Sequence, residues 1–146
     1  MAEDTVNQAA TLGDLPEKSC VTQTLNIHGY HSDAGQFGTL AVYGADAPSV
    51  KSLITADASL GNTLDDALPY IAAEVVWAAR EEMARTVEDV LARRTRALFL
   101  NAKAAIRIAP SVAALLAKEL GCDAAWQAQQ VMAFTKLARS YQPGTP

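Results

Sequence analysis

Residues 82–101 read EMARTVEDVLARRTRALFLN and carry the strongest local signals of the chain. Thr86 and Asp89 stand three residues apart before an apolar run, a spacing that resembles a capping box at the start of a helix. Upstream, apolar residues recur at every fourth position from Ile71 to Leu91. That spacing drifts by about 200° around one straight helix. We therefore predict two abutting helices, over about 71–84 and 87–93.

Three guanidinium groups crowd into the same segment. Arg93, Arg94 and Arg96 fall within four residues and precede the apolar run ALFL at 97–100. A guanidinium binds carboxylate or phosphate through two parallel hydrogen bonds. Residues 93–96, here called the arginine run, are therefore a candidate surface for an acidic protein, a phosphate or anionic lipid headgroups. The alternative is a solvated helix end that the helix dipole favours.

Charges beside the run follow helical spacing. Glu81 and Arg85, and then Arg85 and Asp89, stand four residues apart, which predicts two ion pairs on one helix face. No E-x-x-H motif accompanies the acidic residues, so the sequence does not indicate a di-iron bundle. We take Arg85 and Asp89 as interface candidates together with the three arginines of the run.

Downstream, two further helices are predicted. Residues 101–120 are alanine-rich with helical periodicity, and Pro110 should kink or divide this segment near Ala109. Gly121 is placed to end it. Asp123 can cap a last helix, which Pro143-Gly144 would terminate.

Upstream, the pattern is less regular. A helix with no capping residue at its start is expected to end at Gly13, and Asp46 followed by Pro48 predicts a helix over about 47–56. Between them, residues 15–38 read as an extended connection, here called the arm. The arm contains a short strand or extended stretch at 22–27, followed by His28, and connections of this length are often functional.

Composition places the chain in a broad class. It has 146 residues, about one domain, and half of them are hydrophobic, including 29 alanines. The predicted fold is all-α: an irregular bundle of about six helices with the extended arm. Residues 1–66 hold nine acids and two bases, whereas residues 67–146 hold seven acids and ten bases. The net charge of −4 argues against nucleic acid as a partner.

Motifs for self-contained chemistry are missing from the sequence. There is no G-x-G-x-x-G and no phosphate-binding loop, so a nucleotide site is not expected. His28 and His31 would need two more ligands to hold zinc, and Cys20 is the nearest soft candidate. The two cysteines are expected to be reduced. We therefore assign no catalytic, cofactor-binding or metal-binding residue within the chain.

The run at 82–101 nevertheless resembles the C-terminal domain of FAD-dependent glycerol-3-phosphate dehydrogenases. The resemblance extends to LNIHG at 25–29, to YGADAP at 43–48 and to ELG at 119–121, and so covers nearly the whole chain in order. It implies a flavoprotein that oxidises glycerol 3-phosphate to dihydroxyacetone phosphate and passes electrons through FAD to quinone. In that family the flavin and substrate residues belong to a larger preceding domain.

The resemblance implies that residues 1–146 are a single C-terminal helical domain, a fragment without the flavin domain and inactive alone. The expected partner is the flavin domain, docked through the arginine run and His28. For the whole enzyme the resemblance also implies quinone and a membrane surface as partners. A second copy of the chain, in a homo-oligomer, is a further candidate partner. No spanning segment and an acidic N-terminus suggest a cytoplasmic location, with the whole enzyme on the cytoplasmic membrane. The alternative function is a stand-alone helical module that binds an acidic protein or nucleic acid.

Overall fold

A computed structural model describes residues 1–16 and 18–142. The described part is mainly helical, which confirms the all-α class. No described helix is long and apolar enough to cross a bilayer. In chain order the elements are α1 (Ala2–Leu12), a 3-10 segment (Ala34–Asp46), α2 (Ala47–Ala56), a 3-10 turn (Ala58–Gly61), β1 (Thr63–Asp65), β2 (Leu68–Ile71), α3 (Ala72–Arg80), a π-helical turn (Asp89–Arg94), α4 (Ala97–Leu100), α5 (Ala102–Leu120) and α6 (Ala124–Arg139).

Helix α5 lies at the centre of the main core. One face of it is fully buried, including Ile108, Val112 and Leu116, and it packs on α3, on the π-helical turn and on α6 through Phe134. Alanines fill much of this face and let the neighbouring helices approach closely. Truncating a buried leucine such as Leu116 to alanine typically costs about 2–5 kcal/mol of stability.

Pro110 does not divide α5, which was one of the two outcomes that the sequence predicted. The helix runs unbroken from Ala102 to Leu120, with Pro110 on its exposed side. Residues on both sides of the proline, Ala109 and Val112, are buried in the core. Because packing holds both halves and a solvent-facing carbonyl tolerates a missing amide donor, tertiary contacts override the local preference.

Most predicted helix ends are confirmed. The side chain of Asp123 accepts a hydrogen bond from the amide of Trp126, and Gly121 ends α5 in the left-handed conformation at φ 68°. Gly13 follows α1 as expected. Helix α6 ends at Arg139, and the predicted terminator Pro143-Gly144 lies outside the described residues.

The connection before α3 is a β-hairpin, which the sequence did not predict. Strands β1 and β2 pair antiparallel, with Thr63 opposite Ile71 and Asp65 opposite Leu68. Arg107 of α5 binds Asp65 through two hydrogen bonds of 2.9 Å and ties the hairpin to the bundle. The strands are three and four residues long, too short for an alternating pattern to stand out.

The arm is shorter than predicted, because the 3-10 segment begins at Ala34. Residues 22–24 form a turn rather than a strand, with the carbonyl of Val21 accepting hydrogen bonds from Thr24 and Leu25. The 3-10 segment and α2 pack on α3 through a second, smaller core around Leu40, Val50 and Ala73.

Candidate docking surface

The predicted break between two helices is present, and Thr86 and Asp89 form the predicted capping box. The Asp89 carboxylate accepts a hydrogen bond of 2.9 Å from the amide of Thr86, and the Thr86 hydroxyl accepts one of 3.1 Å from the amide of Asp89. Helix α3 ends earlier than expected, at Arg80, and Met83 adopts a left-handed backbone at φ 60°. The loop 81–86 therefore stands between two short helical elements.

The predicted ion pairs of Arg85 are wrong because of this loop. The i,i+4 geometry needs a continuous helix, and residues 81–86 are not helical. The guanidinium of Arg85 instead donates hydrogen bonds to the carbonyls of Ala79, at 2.8 Å, and Ala84, at 2.9 Å. Arg85 thus closes the end of α3.

Arg93 and Arg94 are neutralised within the domain. Arg93 pairs with Asp89 at 2.6 Å and with Glu88 at 2.7 Å. Arg94 donates to the backbone carbonyl of Glu82, and its Nε lies 3.7 Å from the Glu82 carboxylate. Both guanidinium groups fasten the π-helical turn to neighbouring acids, so neither is a free anion-binding group.

Partial burial works to raise the pKa of Asp89, but hydrogen bonding with Thr86 and the amide of Arg85, together with the charge of Arg93, outweighs it. The pKa of this carboxyl is therefore held below its usual value. Asp89 stays ionised at neutral pH, where it serves as both cap and ion-pair partner.

Arg96 differs from the other two arginines of the run. It is exposed and adopts a left-handed backbone at φ 60° and ψ 17°, and no carboxylate pairs with it among residues 1–16 and 18–142. The residue before it, Thr95, is buried and donates from its hydroxyl to the carbonyl of Val90 at 2.9 Å. The hydroxyl of Tyr70 donates to the carbonyl of Thr95.

His28 lies beside the arginine run. Its Nε2 is 2.8 Å from the Oδ2 of Asp46, and the amide of Ala45 donates to the carbonyl of Gly29 at 3.0 Å. These contacts hold the arm against the end of the 3-10 segment. A cleft of about 510 Å³ results, here called the docking cleft, lined by His28, Asp46, Trp77, Glu81, Glu82, Met83 and Arg94.

The structure thus brings only part of the predicted set together. His28 and Arg94 share the docking cleft, whereas Asp89 and Arg93 line a smaller adjacent hollow of about 130 Å³. Arg85 is used within the loop. Met83, which the sequence did not indicate as a site residue, lines both hollows and is 78% exposed. Its unusual backbone gave no signal in the sequence pattern.

A buried polar pair behind the docking cleft was also missed. The Tyr43 hydroxyl donates to Glu74 Oε1 at 3.2 Å, and the amide of Ile71 donates to Oε2 at 2.8 Å. Burial raises the pKa of Glu74 despite these hydrogen bonds, and burial followed by the charge of Glu74 raises that of Tyr43. Glutamate three residues after a helix start was the available signal. The pair fixes the 3-10 segment on α3.

Two motifs that carry chemistry, a metal cluster and a dinucleotide-binding loop, are absent from the described residues. No group of three or more His, Cys, Asp or Glu side chains among them could hold a metal. The part of the chain described here has a single two-stranded antiparallel sheet, and the sequence has no glycine-rich dinucleotide loop. Such a loop at a helix N-terminus is a common site for the pyrophosphate of a dinucleotide cofactor, and none is present among the described residues. Cys20 and Cys122 are free thiols, as predicted.

Residues 20–129 match the sequence profile of a family described as the C-terminal domain of alpha-glycerophosphate oxidase. The chain is 33% identical to a mitochondrial glycerol-3-phosphate dehydrogenase of Arabidopsis thaliana, over 90% of this chain and 26% of the relative. It is 30% identical to the human mitochondrial glycerol-3-phosphate dehydrogenase, over 84% of this chain and 20% of that protein. No solved structure matches.

The relatives show how much of a longer protein the chain matches and in which compartment such proteins are found. The chain spans about a fifth to a quarter of the length of these relatives. The expected cytoplasmic location is wrong, because the relatives are named as mitochondrial enzymes. The expected attachment of the whole enzyme to the cytoplasmic membrane is wrong for the same reason. An acidic first segment and the lack of a spanning stretch describe the chain's surface and not its compartment.

Proposed function

Because the chain belongs to the family of C-terminal domains of alpha-glycerophosphate oxidase, we propose that it docks on the flavin domain of a glycerol-3-phosphate dehydrogenase and supports it. The enzyme oxidises glycerol 3-phosphate to dihydroxyacetone phosphate, and electrons pass through FAD to quinone. The flavin domain carries the cofactor and the reacting groups, and the present chain binds no FAD alone. Its contribution is a rigid surface against which the flavin domain packs.

The observation that carries this proposal is the docking cleft. The arm and the loop 81–86 are far apart in sequence, yet His28 of the arm and Met83 of the loop line one hollow together with Trp77. Met83 is 78% exposed on a left-handed backbone that costs a non-glycine residue about 1 kcal/mol or more. A large apolar side chain held outward at such a cost is typical of a contact point for a partner.

Helix α1 supports the proposal independently. None of its residues is buried, and Val6 and Leu12 are 65% and 89% exposed. Most helical stability in proteins comes from packing an apolar face, and a helix of eleven residues is marginal alone. The exposed apolar side chains of α1 therefore indicate a surface that a partner covers.

The charges do not favour the alternative of a stand-alone module for nucleic acid. Arg93 and Arg94 are paired with acids of their own domain, and the net charge of the chain is −4. Phosphate-backbone binding needs several free cations on one surface. Packing against a protein domain needs apolar anchors, which the docking cleft and α1 supply.

The test replaces Met83 with aspartate in the whole enzyme that contains this domain. Aspartate tolerates a left-handed backbone, so Met83→Asp should leave the domain folded while placing a charge in the contact. The matched control is Met132→Asp on α6, where the methionine is 69% exposed and outside the docking cleft. We expect faster flavin loss and lower turnover for Met83→Asp alone. Equal flavin retention and turnover in both variants would refute the docking role.

A further inference from the structure

The run at 93–96 divides its arginines between two tasks. Arg93 and Arg94 hold the π-helical turn to Asp89, Glu88 and Glu82. Arg96 has no such partner among the described residues and is exposed. Its left-handed backbone is held from behind, because Thr95 is buried and bonded to both Val90 and Tyr70. The fold thus maintains an unfavourable backbone conformation that presents a free guanidinium.

Exposed apolar residues follow Arg96 closely in the chain. Phe99 and Leu100 lie three and four residues after it, within the single turn of α4, and they are 54% and 65% exposed. Tyr141, beyond the end of α6, is 47% exposed and meets Phe99 edge to face, with ring centroids 5.5 Å apart. These four residues, Arg96, Phe99, Leu100 and Tyr141, are here called the anchor patch.

We infer that the anchor patch holds the flavin domain at a second point, where Arg96 binds a carboxylate of that domain and the three apolar residues cover an adjoining aliphatic side chain. The inference rests on the proposed function and adds the chemistry of the partner. Arginine and aromatic residues dominate the energetics of protein interfaces, and a guanidinium binds a carboxylate through two parallel hydrogen bonds.

Charge favours an acidic partner segment at this place. Lys103, exposed in the first turn of α5, adds a second cation shortly after the anchor patch in the chain, and no ion pair occupies it among the described residues. None of the four residues of the anchor patch is acidic. Arg96 also stands two residues from Arg94 of the docking cleft. The flavin domain that fills the cleft is therefore the partner to which we commit.

The decisive experiment identifies the carboxylate directly. Arg96→Lys keeps the charge and introduces an amine, and a carbodiimide then joins an amine to a touching carboxylate, with the water taken up by the reagent. In the whole enzyme, peptide mass spectrometry should find residue 96 joined to an aspartate or glutamate of the flavin domain. A bond only to a second copy, only to an acid of this domain, or no bond at residue 96 would overturn the inference.

The same experiment separates this inference from the proposed function. Amide bonds that join the two domains elsewhere but spare residue 96 would refute the anchor patch alone. If no amide bond joins the domains anywhere, the docking proposal fails as well.

A second pair of variants tests the patch without cross-linking. In the whole enzyme, Arg96→Glu should release flavin about tenfold faster, which corresponds to a contact of about 1.4 kcal/mol. Lys118→Glu is the control, with the same charge change about 22 Å along α5 from Lys103. Circular dichroism checks that both variants keep their helices. Equal rates of flavin release in the two variants would contradict the role of Arg96.

Discussion

The imidazole of His28 contacts the carboxylate of Asp46, with 2.8 Å between Nε2 and Oδ2. Asp46 precedes α2 as the sequence predicted, but its side chain makes no capping hydrogen bond there. It anchors the arm instead. The residue expected to start a helix therefore shapes the wall of the docking cleft, and the two roles can be separated by mutation.

Asp46→Ala should free the arm without melting α2. Since the side chain caps nothing and its pairing with an exposed histidine is weak, we expect a loss of less than about 1 kcal/mol in the free energy of unfolding. Protease cleavage within residues 20–30 should accelerate clearly. Asp66→Ala, an exposed aspartate outside the arm, is the control. Cleavage at the wild-type rate in Asp46→Ala would show that other contacts hold the arm.

Gly44 should tolerate no side chain, because a Cβ there would overlap the carbonyl oxygen of Gly29. Gly38 offers a matched control: its φ is 61°, against 51° for Gly44, and a Cβ would meet nothing within 4 Å. Gly38→Ala should lower the free energy of unfolding only through its left-handed backbone, by about 1–3 kcal/mol. Gly44→Ala must also displace the arm, so it should lose clearly more stability in urea unfolding. Equal losses would refute the close approach of the two glycines.

Tyr43→Phe should destabilise the domain in a pH-dependent way. The pKa of Glu74 is raised by burial, and the Tyr43 hydroxyl donates to its carboxylate and so favours the ionised form. Loss of that donor raises the folded pKa further. Such a group stabilises the fold fully below its unfolded value of 4.5, and that contribution is lost as the pH rises through the folded pKa.

The deficit of Tyr43→Phe should therefore be about 1 kcal/mol at neutral pH and smaller near pH 4. Urea unfolding of both proteins at the two pH values measures it, and acids common to both proteins cancel in the difference. An equal loss of stability at both pH values would mean that the Tyr43 hydroxyl does not shift the pKa of Glu74.

Asp65 should show the opposite dependence. The hydrogen bonds from Arg107, and then the amide of Ala67, hold its pKa below the usual 3.8. A depressed carboxyl pKa stabilises the fold above 3.8, and this contribution is lost as the pH falls through the folded value. Asp65→Asn should therefore reduce the acid dependence of unfolding below about pH 4, whereas Asp66→Asn should not. If the stability of Asp65→Asn depended on pH below about 4 in the same way as that of the wild type, the stabilising contact between Arg107 and Asp65 would be refuted.

Helices with strong local signals were predictable from sequence. Capping residues act through local contacts and so can be identified from the sequence. The caps predicted at Asp123, at Gly121 and at the pair Thr86 and Asp89 are all present. Pro110 shows the limit, since burial on both sides of it keeps α5 whole. The hairpin was missed because its strands are too short to show a period.

The candidate site was predicted only in outline. The arginine run was visible, but the early end of α3 at Arg80 removed the predicted ion pairs of Arg85, whose guanidinium binds the carbonyls of Ala79 and Ala84 instead. Three residues after that end, Met83 adopts a left-handed backbone, for which the sequence contains no glycine or asparagine as a sign. The partner of His28 lies in another element, so only the folded chain reveals it.

The central claim is that the docking cleft is covered by the flavin domain. Amide hydrogen exchange at residues 26–30 and 81–86, compared between this chain alone and the whole enzyme, measures that cover directly. We predict slower exchange of both segments in the whole enzyme, with residues 57–62 on the 3-10 turn unchanged. Equal exchange rates of the cleft segments in the two proteins would contradict the account.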